Sequence, residues 1–130
     1  STSEMEEVLN ANPHIVESAV VGAADAIKGE IPIGFVVLRT GTNVSAAEVE
    51  RECMELIRSQ IGPLACYKNT IIVNRLPKTR SGKVLRGVLR KIINGQEYKA
   101  PATIDDPATL DEATVAAKAH GFPRQGQQLE

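Results

Sequence analysis

A chain of 130 residues with an apolar share of 42% is long enough for one domain with a real core and too short for two. It has no tryptophan, two phenylalanines and two tyrosines, so that core has to be built from Val, Ile, Leu and Ala. A formal net charge of −1 gives no global field to draw in nucleic acid or a membrane surface, and no run of about 18 apolar residues is present to span a bilayer.

Local charge is more informative. The opening stretch is acidic (Glu4, Glu6, Glu7), whereas residues 78–91 carry Lys78, Arg80, Lys83, Arg86, Arg90 and Lys91 and no acid. Cys53 and Cys66 make neither a disulfide framework nor a metal motif, which fits a reducing, cytosolic-type compartment. The chain has no signal peptide and no initiator methionine, and it opens directly on helix-capping residues. It therefore reads as a piece of a longer protein, with the closing Leu129-Glu130 set aside as a vector remnant.

In chain order, Ser3-Glu4-Met5-Glu6 has the form of a capping box and predicts a helix to about Asn12, stopped by Pro13. The apolar, β-branched run from Ile15 to Gly22 predicts a strand, and the polar turn Asp25–Glu30 leads to a second strand, Ile31 to Arg39. The two are close enough in sequence to pair antiparallel. Ser45-Ala46-Ala47-Glu48 is a second capping box, and Val49, Cys53, Leu56, Ile57 and Ile61 follow it at 3.6-residue spacing until Gly62-Pro63. Thr70–Val73 predicts a short third strand, and a turn-rich loop from Leu76 to Gly82 precedes a helix from about Lys83 to Ile93. Asn94-Gly95 is a natural stop. A further helix is predicted over about Thr109 to Ala119, and the last ten residues are expected to lack fixed structure. The order α-β-β-α-β-α predicts an α+β domain, a small three-stranded, mostly antiparallel sheet flanked by helices.

The chemistry concentrates between Pro77 and Arg90. Lys83 is expected in the first turn of a helix, where a cation opposes the dipole at a cost of about 0.3–1 kcal/mol. Lys83, Arg86 and Arg90 would share one face of that helix and together want an anion, with a Ser-Gly-preceded helix N-terminus offering further donors. Three readings stand beside each other: a solvated basic face, an anion site and a nucleic-acid surface. The last lacks interleaved aromatics and any groove-reading motif. A phosphate-binding P-loop is excluded, because its pattern needs glycine at Pro77 and Ser or Thr at Val84.

These residues carry a resemblance. Leu76-Pro77-Lys78-Thr79-Arg80-Ser81-Gly82-Lys83-Val84-Leu85-Arg86 resembles the C-terminal signature of the adenylate-forming acyl-CoA synthetases, a long and specific motif. Val20-Val21-Gly22 followed by Asp25–Gly29 is similar to a strand and turn of the same domain. Ile61-Gly62-Pro63-Leu64-Ala65 resembles a loop of acetyl- and propionyl-CoA synthetases, and Thr103–Pro107 is similar to the end of the propionyl-CoA branch. The resemblance covers roughly residues 1–112, implying a mobile C-terminal domain there and a largely flexible tail over 113–130.

The resemblance implies a ligase that joins a small carboxylic acid to coenzyme A, using ATP and magnesium, through an acyl-adenylate. It implies that Lys83 is catalytic in adenylation only, and that the C-terminal domain then rotates to present another face to a large N-terminal domain. Arg58, shortly before the Ile-Gly-Pro loop, matches a ligand for the 3′-phosphate of coenzyme A; read without the family, it is an ordinary exposed helix arginine. Some relatives bind a cation after the first helix through a histidine; Asn12 stands there, so no metal site is carried over. His14 and His120 read as surface residues. The implied partners are the upstream adenylation domain, the carboxylic acid and a lysine acetyltransferase and deacetylase acting on Lys83, with no nucleic acid and no membrane. The implied location is the cytoplasm, or the mitochondrial matrix in a eukaryote. Propionate is favoured over acetate on the tail resemblance, and the chain alone is expected to be inactive.

Overall fold

The computed structural model describes residues 1–124. Helix α1 (Thr2–Asn10) buries Met5 and Leu9 and leads into a hairpin of β1 (Ile15–Asp25) and β2 (Gly29–Leu38). Helix α2 (Ala46–Gln60) then crosses to β3 (Asn69–Ile72), by way of a short 3-10 turn at Pro63–Ala65. Helices α3 (Arg86–Ile93) and α4 (Ala108–Ala119) complete the fold. The class is α+β, as expected.

The sheet has the order β1-β2-β3 and is mixed. β1 runs antiparallel to β2, from Asp25↔Gly29 at the turn to Ile15↔Leu38 at the open end. The turn is closed by Asp25, whose Oδ2 accepts from the Ile27 and Lys28 amides at 3.2 and 2.9 Å. β3 is parallel to β2, with Ile33↔Asn69 to Val36↔Ile72 in register. The parallel pair follows from α2: a strand reached through a helical crossover returns in the same direction.

Both faces of the sheet are covered, which is why β1 and β2 read as nearly continuous apolar runs. On one face Val20 and Val36 pack with Met5 and Leu9 of α1 and Val49, Cys53 and Ile57 of α2. On the other, Ala19, Val21, Ile33 and Phe35 meet Leu89, Ile92 and Ile93 of α3 and Ala113 and Ala117 of α4. Gly34 is required by this packing: a Cβ there would lie 2.1 Å from Tyr67 Oη. Phe122 is buried in the α3/α4 layer, so the packed body runs past residue 112. Of the ten residues expected to lack structure, 125–130 lie outside the described residues.

The α1 capping box forms two residues earlier than predicted, with Ser1 Oγ accepting from the Glu4 amide at 3.3 Å. Glu6 is engaged elsewhere. Its Oε2 accepts the Val20 amide of β1 at 2.8 Å. Further along the same outer edge, Asn94 Oδ1 accepts from the Ala24 amide at 2.8 Å and Asn94 Nδ2 donates to Gly22 O at 3.0 Å. At the opposite edge, Glu50 accepts the Thr70 amide of β3 at 2.8 Å, with His120 Nε2 at 2.8 Å from the same oxygen.

Candidate functional site

The segment before α3 is a hairpin rather than the start of a helix. Lys78 bridges antiparallel to Val84, Thr79 N donates to Lys83 O at 2.9 Å, and Leu85 N donates to Pro77 O at 2.9 Å. The tip is a turn closed by Gly82 N to Thr79 O at 2.9 Å, and Gly82 adopts φ +89°, a conformation natural only to glycine. Thr79 Oγ1 accepts the Lys83 amide at 3.1 Å and lies 3.1 Å from Ser81 Oγ.

A third extended piece supports the hairpin. Thr79 bridges Ile104, Arg80 N donates to Thr103 O at 2.9 Å, and Asp105 N donates to Lys78 O at 2.9 Å. The side chain of Ile104 is buried in the α3/α4 layer. Thr103–Asp105 therefore holds the signature loop in place.

These contacts correct the predicted setting of Lys83. Helix α3 opens at Arg86, because the Lys83 carbonyl accepts from Thr79 N and Val84 bridges Lys78, which holds the stretch extended. Lys83 is not in a first helical turn, does not oppose a dipole and does not stack on Arg86 and Arg90. The supposed cluster of three cations is also resolved by carboxylates. Arg86 forms a bidentate pair with Glu6 of α1 at 2.8 and 2.7 Å, and Arg90 pairs with Glu30 of β2. Lys78 pairs with Glu17 of β1. The hydrogen bonds to Glu6 hold the Arg86 guanidinium above its ordinary pKa. Lys83 is exposed, and its ammonium has no hydrogen-bond or ion-pair partner among the described residues.

Arg58 lies in the last turn of α2, exposed. It shares a cleft of about 60 Å³ with Gly62, Pro63, Cys66 and Lys68. Two cations thus flank one small recess, although only Arg58 was singled out from sequence. Arg58 belongs to the α1/α2 layer and Lys83 to the approach to α3 on the opposite face; the fold does not bring them together. Asn12 is buried, donating to Glu52 at 3.0 Å and accepting from the His14 amide at 2.8 Å. His14 and His120 are half-buried rather than plain surface residues.

The AMP-binding enzyme C-terminal domain family matches residues 4–83. The chain belongs to that family. Among its relatives, the mitochondrial acyl-CoA synthetase short-chain family member B of Dictyostelium discoideum is 50% identical over 115 residues, covering 88% of this chain and 17% of the relative. The acetyl-coenzyme A synthetase of Pyrobaculum arsenaticum is 43% identical over 115 residues, again 88% of this chain and 17% of the relative. The acyl-CoA synthetase of Brucella canis superposes with a TM-score of 0.64 at 34% identity, covering 69% of this chain and 16% of that one. Acetoacetyl-CoA synthetase of Streptomyces lividans, at TM-score 0.72, 23% identity and coverage of 91% and 18%, shares the fold. The chain spans less than a fifth of the length of these relatives. No helix among the described residues is long and apolar enough to cross a membrane.

Proposed function

We propose that this chain is the mobile C-terminal domain of an AMP-forming short-chain acid–CoA ligase, and that Lys83 serves its adenylation step. The observation that carries the reading is the contrast within the basic segment. Lys78, Arg86 and Arg90 are paired with acids. Lys83 is exposed and unpartnered among the described residues, as are Arg80 and Lys91, and of these three it alone directly follows the positive-φ glycine of a braced turn. That is what adenylation asks for. A carboxylate oxygen attacks the α-phosphorus of ATP and pyrophosphate leaves, so two anionic groups must approach one another. A preorganised ammonium between them lowers that repulsion, an effect typically worth a few kcal/mol. A charge carried on a mobile domain can withdraw before the thiol of coenzyme A displaces AMP.

The Arg58–Lys68 cleft has the charge and size for a phosphate monoester, which suits the 3′-phosphate of coenzyme A. Magnesium, the adenine site and the acyl pocket belong in this reading to a large upstream domain, with propionate preferred to acetate. The isolated chain then makes no acyl-adenylate, and ATP–pyrophosphate exchange by the purified chain would overturn that. Acetylation of Lys83 would delete the charge adenylation needs. Deacetylase and acetyl-donor treatment should move first-step activity in opposite directions, and no change would remove acetylation from the account.

The deciding experiment compares wild type and Lys83→Ala in the full-length protein. Pyrophosphate exchange reports adenylation, and thioester formation from supplied acyl-adenylate reports the second step. Loss of the first with the second intact supports the reading; retention of both refutes it.

A further inference from the structure

Glu6 lies far from Lys83 in sequence, yet it is where the far end of the signature segment is fixed. Its carboxylate is only 14% exposed. Oε2 accepts both the Val20 amide and Arg86 Nε at 2.8 Å, and Oε1 accepts Arg86 Nη2 at 2.7 Å. The strand amide fixes the carboxylate, and the carboxylate fixes the first residue of α3, three positions after Lys83. Asn94 ties the residue after α3 to the same strand. Lys78–Glu17 secures the entry to the hairpin, also on β1. These three ties are made to β1, a fourth joins Arg90 to Glu30 of β2, and the Glu6–Arg86 fork is the segment's only link to α1 among the described ion pairs.

We infer that Glu6 is a positioning residue for adenylation: through Arg86 it sets where the Lys83 hairpin stands against the rest of the domain. The inference rests on the proposed role of Lys83. A planar bidentate fork fixes both distance and orientation, which a single lysine contact would not. Displacement of a catalytic group by about 1 Å is enough to cost on the order of a hundredfold in rate.

In the full-length protein, Glu6→Gln and Arg86→Met should each lower kcat for pyrophosphate exchange, roughly tenfold to a hundredfold. KM for ATP should be unchanged, and so should thioester formation from supplied acyl-adenylate. The double variant should be no worse than the poorer single one, because both remove the same link. Arg86→Lys should recover part of the loss. Equal loss in both half-reactions would make the role merely structural and overturn the inference, as would unchanged pyrophosphate exchange or additive losses. If Glu6→Gln does not fold, the exposed Arg86→Met decides on the same criteria. Lys83→Ala run alongside separates the two ideas. Its failure to affect adenylation refutes the role of Lys83 itself, whereas its success with an indifferent Glu6→Gln refutes only the positioning role.

Discussion

Gly34→Ala tests how tightly β2 is fitted to the loop after α2. The added methyl would stand 2.1 Å from Tyr67 Oη and 3.0 Å from its Cζ. Tyr67 is only 4% exposed, and Oη lies 2.6 Å from Thr70 Oγ1, so the ring cannot swing aside without breaking a buried hydrogen bond. Overpacking of this kind costs about 1–3 kcal/mol, and unpairing buried hydroxyls adds about 1–3 kcal/mol. Together this is roughly 2–6 kcal/mol, a large part of the ~5–15 kcal/mol that holds a typical domain together. Urea denaturation followed by far-ultraviolet circular dichroism should show a lower midpoint with an unchanged slope. Tyr67→Phe removes Oη and leaves only the milder approach to Cζ, so on that background the alanine should cost less than half as much. A Gly34→Ala chain within about 0.5 kcal/mol of wild type, or the same cost in both backgrounds, would refute the argument that glycine is there to admit the tyrosine.

Three further outcomes are expected. Arg58→Ala in the full-length protein should raise KM for coenzyme A about tenfold while leaving pyrophosphate exchange intact, as loss of one charged phosphate contact predicts. The Arg75 guanidinium, with the Ala108 amide, holds Asp106 below its ordinary value of 3.8. Its contribution is therefore complete above about pH 4 and lost as the pH falls through its lower native pKa, and Asp106→Asn should narrow the difference in urea midpoint between pH 7 and pH 3. Burial pushes the Cys53 thiol up to about 11, so native chain at pH 8 should be alkylated at Cys66 well before Cys53, as peptide mass mapping would report.

Much of this fold is legible in the residues. The apolar runs of β1 and β2 and the 3.6-residue spacing of Val49, Cys53 and Ile57 are local signals, and the sheet and α2 followed them. The signature motif also pointed to the exposed Lys83. What failed was everything set by distant partners. The periodicity of Val84, Leu85, Val88 and Leu89 extends a helix backward to Lys83, but the bond from Thr79 N to the Lys83 carbonyl and the Lys78–Val84 bridge hold that stretch extended. The capping box at Ser3 needs Glu6 to turn back on its own helix, whereas Val20 and Arg86 claim it. No spacing rule reveals that Thr103–Asp105 lies against Thr79, or that Lys68 shares the Arg58 cleft. The sheet is mostly antiparallel as expected, its short parallel β2–β3 pair being the one that the helical crossover imposes.

The side chains that meet the outer margins of the sheet have a consequence beyond holding α3. A three-stranded sheet has two open borders, and an open border is a template onto which another extended chain can zip. Here Glu6 and Asn94 occupy sites along β1, and Glu50 occupies one on β3. An incoming strand would have to evict a carboxylate or an amide already bonded to the backbone it seeks. Borders plugged in this way resist strand exchange and the growth of fibrils.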